Sequence, residues 1–190
     1  SMDNLMPYVE KMKQAHAGAL QRAPDAAEVD YLMGRMYRAS LKTGPSWECQ
    51  QRALRKDPDF PPALYEAIVL GYQLYQYEAS SRPATEEQAK EHARKCAWWV
   101  TSVSGYCKSL ERVTDAGTGA DAGVSRAQLF SAKARRALVD ERLDEAKENL
   151  ESAVREDPML EEAWDMYAQL VGGWTKLGPP VSEREREKML

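Results

Sequence analysis

Two histidines, three cysteines, a glycine-rich tract and a run of carboxylates come nearest to a reactive constellation in this chain. A metal site needs ligands at short fixed spacings on one element, and His16 and His92 lie in separate helical patterns with no paired cysteine or carboxylate motif around them. They read as surface or packed histidines. Cys49, Cys96 and Cys107 are an odd number without ligand spacing, each inside a helical pattern, and read as buried reduced thiols. That favours the cytoplasm or another reducing compartment. The tract Gly117-Thr118-Gly119 lacks the preceding strand and following Lys-Ser/Thr that a phosphate cradle requires. Asp140, Glu141, Asp144 and Glu145 read as a solvated face and as first-turn acids complementing a helix dipole. No catalytic residue, metal ligand or cofactor site is expected, and the chain reads as no enzyme.

The elements that would have to position any site come next. The chain has 190 residues, 43% hydrophobic and 29% charged, with a formal net charge of −4, enough for one domain or about four helix pairs. Mild acidity without an aromatic-basic strip argues against nucleic acid. No stretch approaches eighteen uninterrupted apolar residues, so no membrane span is expected. Ser1-Met2 reads as a remnant of tag removal, which leaves room for a trimmed targeting or anchor segment.

Punctuation then reveals a repeat. Ala19-Leu20-Gln21-Arg22-Ala23-Pro24, Ala53-Leu54-Arg55-Lys56-Asp57-Pro58 and Ala153-Val154-Arg155-Glu156-Asp157-Pro158 each end a helical pattern with a proline, which stops the helix. The first two prolines lie 34 residues apart and the third lies 100 beyond the second. Counting from Gly34, markers fall at Tyr37, Ser46, Ala53 and Pro58; counting from Ala134, the same offsets give Ala137, Ala146, Ala153 and Pro158. Small residues at these points let two antiparallel helices cross closely. With Phe130, Leu143, Leu150 and the Ala163-Trp164 pair, this pattern resembles the tetratricopeptide repeat family. Ser46, Gln50, Ile68 and Ala137 depart from it.

The resemblance implies an all-α fold, an antiparallel helix-hairpin superhelical array of about eight helices in a single domain spanning 1–190. Its parts are a half-unit at 3–26, a unit at 27–60, an irregular unit at 61–114, a loop at 115–124, a unit at 125–160 and last helices at 161–190. The expected helices run from Asn4 to Arg22, then 27–41, 46–56, Pro61 to Ala79, 85–113, 125–140, 143–157, 160–176 and 182–189. Thr85 with Gln88, and Ser125 with Gln128, are spaced to cap two of them. The glycine- and alanine-rich 115–123 tract reads as the mobile loop.

Function follows from the same resemblance. In that family the concave groove is lined three before, one after and four after each crossing position. Here those are Tyr31, Arg35 and Arg38; Tyr65, Val69 and Tyr72; Ser131, Arg135 and Leu138; and Asp165 with Gln169. Arginines and tyrosines there suit a protein or peptide partner carrying acidic groups. They can equally be half-exposed helix residues without a partner. The expected function is a non-enzymatic interaction scaffold or adaptor.

Residues 85–113 hold the alternative. Ala89, Ala93, Cys96, Val100, Val103, Cys107 and Leu110 keep one stripe apolar for about six turns, longer than one neighbouring repeat helix can cover. Trp98, Trp99 and Tyr106 lie off that stripe, either packed under a neighbouring helix or forming an exposed oligomer contact. A structural, self-associating role is therefore the second reading. A monomer whose helix returns onto residues 129–138 is favoured over a homodimer.

Overall fold

A computed structural model describes residues 6–115 and 123–172. Among these the chain forms eight helices and no strand: α1 (Met6–Arg22), α2 (Ala27–Ala39), α3 (Thr43–Lys56), α4 (Pro61–Ala79), α5 (Glu86–Val113), α6 (Arg126–Val139), α7 (Leu143–Glu156) and α8 (Glu161–Val171). The expected helix at 182–189, the end of the 160–176 helix and residues 116–122 of the expected loop lie outside the described residues.

The α2–α3 and α6–α7 hairpins repeat one local design at an offset of 100 residues. Each first helix ends in a Schellman motif, in which Lys42 N–H donates to Tyr37 O at 2.9 Å and Arg142 N–H donates to Ala137 O at 2.8 Å. The left-handed position is filled by Leu41 at φ 57° and Glu141 at φ 59°, although glycine usually stands there. Each second helix ends at an aspartate held extended by the following proline, Asp57 at φ −136° and Asp157 at φ −142°. Their carboxylates accept from Asp59 N–H at 3.0 Å and Met159 N–H at 2.9 Å, closing the turn into the next helix. These motifs end α2 and α6 earlier than proline spacing alone predicts. They also start α3 at Thr43, three residues before the expected Ser46.

Within each hairpin the small residues lie at the crossing. A Cβ on Gly34 would stand 3.1 Å from Cys49 Cβ and collide with the Gln50 amide, so any side chain there must displace Gln50. Ser46 earns its place by donating to Gly34 O at 2.7 Å, and Gln50 Nε2 donates to Tyr31 O at 3.3 Å. Thus the first unit uses hydrogen bonds where the second uses buried Ala146 and Leu150. In the α4–α5 pair the close approach is made by Gly71, whose absent Cβ would meet Val103 Cγ2 at 3.1 Å. Ile68, read from sequence as the crossing residue, is fully buried one turn earlier.

Helix α4 is the centre of the fold, buried around its whole circumference from Ala63 to Tyr72 and touching α2, α3, α5 and α6. Prolines 61 and 62 sit in its first turn, where no intrahelical N–H is required. Helix α5 is one continuous helix as expected, with Thr85 Oγ1 accepting from Gln88 N–H at 3.2 Å. Its apolar stripe is covered unevenly. Val103, Cys107 and Leu110 are buried, and α6 packs alongside, so the C-terminal half finds an intramolecular surface. Ala89 and Ala93 are exposed, because among the described residues no third helix covers the tip of the α4–α5 hairpin. Ser125 and Gln128 complete a reciprocal capping box at the start of α6.

Replacing Gly34 or Ala153 by leucine should destabilise the protein by about 1–3 kcal/mol through overpacking. Thermal unfolding followed by circular dichroism measures this, and unchanged midpoints for both variants would refute the crossing geometry.

Candidate functional site

The positions read from sequence as groove-lining divide sharply by burial. Tyr65, Val69, Tyr72, Ser131, Arg135 and Leu138 are buried, because α4 and α6 pack directly against each other and fill the middle of the expected groove. They line the interior, so the expectation of an open contact surface at those six positions is corrected. Tyr31 and Arg38 are half-buried, whereas Arg35, Asp165 and Gln169 are exposed.

What remains open is a cleft of about 640 Å³ between α2, α4, the start of α6 and the start of α8. Its floor is an ion-pair network. Arg38 Nη1 donates to Glu66 Oε2 at 2.7 Å, and Arg38 Nη2 donates to Glu162 Oε2 at 3.3 Å. Arg135 Nη2 lies 3.5 Å from the same Glu162 oxygen, and Tyr65 Oη donates to Glu162 Oε1. Arg35 Nε stands 3.6 Å from Glu66 Oε1. Four helices therefore meet through two carboxylates.

Burial dictates this arrangement. Arg135 is sealed inside the protein, and desolvation, followed by repulsion from Arg38, lowers its guanidinium pKa to about 10. It stays charged near neutrality and needs its partners: Glu162, the Ser131 carbonyl at 3.1 Å and the Ser131 hydroxyl at 2.5 Å. Glu162 is pushed above the usual carboxylate range by burial, against the pull of Arg38 and with a further push from Asp165. Glu66 and Glu162 escaped the sequence reading. Glu66 carried a signal, as the one charge in the apolar run Ala63–Leu70, since a lone charge there must find a partner.

The charge balance of the cleft differs from the expected basic groove. Arg35 and Arg38 line it together with Glu66, Glu161, Glu162 and Asp165, two cations against four carboxylates. Both arginines already face carboxylates, so a purely acidic partner gains little there. Two bare apolar side chains stand among these charges, Leu41, 87% exposed, and Met159, 84% exposed.

Aromatic contacts gather elsewhere. Trp47 of α3 meets Trp98, Trp99 and Tyr106 of α5 with ring centroids 6.1, 5.1 and 6.0 Å away, all edge to face. Tyr106 also donates to Gln51 Oε1 at 3.0 Å. Trp99 and Tyr106 are thus half-buried between helices, while Trp98 keeps 52% of its surface exposed.

His92 is not placed to take a proton from the neighbouring thiol. His92 Nε2 lies 2.9 Å from Glu78 O and 3.8 Å from Cys96 Sγ, and a ring nitrogen bound to a carbonyl must carry the proton. It therefore cannot take one from the thiol, which burial already pushes up. His16 Nε2 lies 3.4 Å from Asp30, a buried carboxylate that the sequence reading missed. Asp30 is held by Arg52 Nε at 2.9 Å and Lys56 Nζ at 2.7 Å, joining α1, α2 and α3. All three cysteines are free thiols. Among the described residues no cluster of three or more His, Cys, Asp or Glu is arranged to hold a metal, and no helix is long and apolar enough to cross a membrane.

In comparison with known proteins, no family model matches this chain and no curated protein matches it in sequence.

Two variants test the ionic floor. Glu162→Ala should lower stability by about 2–4 kcal/mol, since Arg135 is left buried without its carboxylate; a loss below 0.5 kcal/mol in urea unfolding would contradict the network. Burial raises the pKa of Asp30, but the hydrogen bonds and charges of Lys56 and Arg52 outweigh it and hold the carboxyl below its usual value. Its stabilising contribution is therefore present above the unfolded-state value of about 3.9 and is lost as pH falls through the lower folded value. Asp30→Asn should cost about 1–3 kcal/mol at pH 7, and urea titrations of the two proteins should begin to converge below about pH 4 and meet once pH lies under the folded-state value.

Proposed function

We propose that this chain is a non-enzymatic interaction module of tetratricopeptide type that holds a partner segment in the cleft between α2, α4, α6 and α8. The observation that carries this reading is the pair of bare apolar side chains that line it. Leu41 occupies the left-handed region, at φ 57°, where a non-glycine residue costs about 1–2 kcal/mol. It recovers nothing by packing, being 87% exposed. The turn itself needs that backbone, as it does at exposed Glu141 in the second hairpin, but it does not need an apolar side chain, which at Leu41 is left available for contact. Met159 lines the same cleft with a flexible, polarisable side chain suited to varied apolar surfaces.

Polar groups on the rim refine the partner. Arg35, 59% exposed by side chain, offers a guanidinium on the α2 wall, while Glu161 and Asp165 offer carboxylates on the α8 wall. A polypeptide segment presenting an apolar side chain between charges of both signs fits this layout better than the acidic segment anticipated from the arginines alone. The ionic floor serves as rigid backing, since its charges are spent on one another.

Affinity capture from the source cell, with bound proteins identified by mass spectrometry, tests the assignment. Leu41→Asp combined with Met159→Asp should abolish capture of the principal partner while helicity stays unchanged. A partner retained at wild-type level would refute the cleft as the binding surface. Leu41→Gly should weaken capture yet stabilise the fold by about 0.5–1 kcal/mol, because glycine accepts the turn without strain.

A further inference from the structure

Helix α5 buries the C-terminal half of one stripe and leaves the opposite stripe exposed to solvent along its length. Glu87, Glu91, Arg94, Trp98, Thr101, Gly105, Lys108 and Arg112 are all exposed and follow one another at spacings of four, three, four, three, four, three and four. That is the heptad spacing with which one helix meets another. Its centre is apolar. From Cys96 to Cys107 the helix carries no charge, although charges crowd both ends. The hydroxyls of Thr101 and Ser102 are turned back onto Ala97 O at 2.9 Å and Trp98 O at 2.8 Å, so they ask nothing of solvent. Gly105 leaves a notch with no atom near its missing Cβ. Beside them stands Trp98, packed edge-on against Trp99 at 4.5 Å and Trp47 at 6.1 Å, with the remaining half of its surface open.

We propose that this face pairs antiparallel with α5 of a second copy of the chain, in the register that sets Trp98 against Thr101 of the second copy. Charge complementarity selects the occupant and the register. In an antiparallel pair the two heptad positions alternate across the seam, so Trp98 facing Thr101 also sets Arg94 against the Gly105 notch, Glu91 against Lys108 and Glu87 against Arg112. Two-fold symmetry makes each contact twice, giving four opposite-charge pairs around an apolar centre. Shifting by one heptad would set Arg94 against Arg112 in one direction and leave Glu91 facing Thr101 in the other. A parallel pair would oppose Lys108 to Lys108 and Glu91 to Glu91. Lys108 has no partner within the described residues of its own chain, whereas Arg112 already holds Asp59 and Glu91 holds Arg94. The Glu91–Lys108 layer therefore reports the register. The paired length, from Glu87 to Arg112, is about 37 Å. This surface lies apart from the cleft, and the inference does not rest on the partner-binding reading.

Size-exclusion chromatography with light scattering on the whole chain decides the matter. At low salt the protein should show twice the monomer mass, and Trp98→Glu should give a monomer with unchanged circular dichroism. Glu91→Lys alone and Lys108→Glu alone should each weaken the dimer by about tenfold, and the two together in one chain should restore it. A monomer at every concentration up to about 0.5 mM would overturn the proposal. So would a dimer that survives Trp98→Glu, or a charge swap that fails to restore association.

Discussion

A carboxylate in the wrong place organises this fold. Helix α4 is enclosed on all sides over Ala63–Tyr72, which is what an apolar run invites, yet Glu66 stands in the middle of it. An unpaired ion at that depth would cost several kcal/mol, so the neighbouring helices have to bring cations to it. Arg38 does so from α2, and its second nitrogen recruits Glu162 from α8, which in turn meets Arg135 from α6. Each charge is thereby compensated by one from a different helix. Hydrophobic packing alone would allow these helices to slide along α4; the ionic chain sets their register.

The two regular hairpins show how one backbone tolerates different interiors. Their turns agree in hydrogen bonding and within a few degrees in the dihedrals of Leu41 and Glu141, Lys42 and Arg142, and Asp57 and Asp157. Their interiors do not. Asp30 with its three basic neighbours occupies the place where the second unit has Phe130, and Gln50 occupies that of Leu150. A polar substitute is tolerated inside only when every group finds a partner, and Arg52, Lys56 and the Gly34 and Tyr31 carbonyls supply most of what is needed. The first unit also receives α1, whose His16 lies 3.4 Å from Asp30, whereas α7 packs against α8 through apolar residues such as Val154 and Tyr167.

Helix type and order were legible in the chain because they rest on local signals. Prolines 24, 58 and 158, the small residues at Gly34 and Ala153, and the Ser125–Gln128 box each act within a few residues of themselves. The ends of α2 and α6 were not, since Leu41 and Glu141 hold a turn that glycine would have announced. The groove positions on α4 and α6 were placed on their helices but not in their buried environment, whereas Arg35, Asp165 and Gln169 are exposed. Spacing reports which face of a helix a residue occupies, while burial depends on whether the next helix closes over it, as α6 does over α4. Glu162 was invisible for a related reason: it pairs with Arg38 across 124 residues, and no periodicity links them.

Arg35 and Arg135 make that distinction concrete. They hold the same position in the two hairpins, 100 residues apart, one helical turn after Tyr31 and Ser131 respectively. Arg35 lies at the edge of the array, where its guanidinium reaches Tyr31 Oη at 3.4 Å and stays mostly in water. Arg135 lies under α4, where water is gone and every nitrogen depends on protein partners, one of which it lacks at Nε. An identical residue at an identical register is thus a largely solvated group in one unit and a buried ion in the other. Repeat position alone therefore cannot assign a binding role here. The deciding variable is whether a neighbouring helix has removed the solvent, and in this chain that occurs over α4 and stops at the rim formed by α2 and α8.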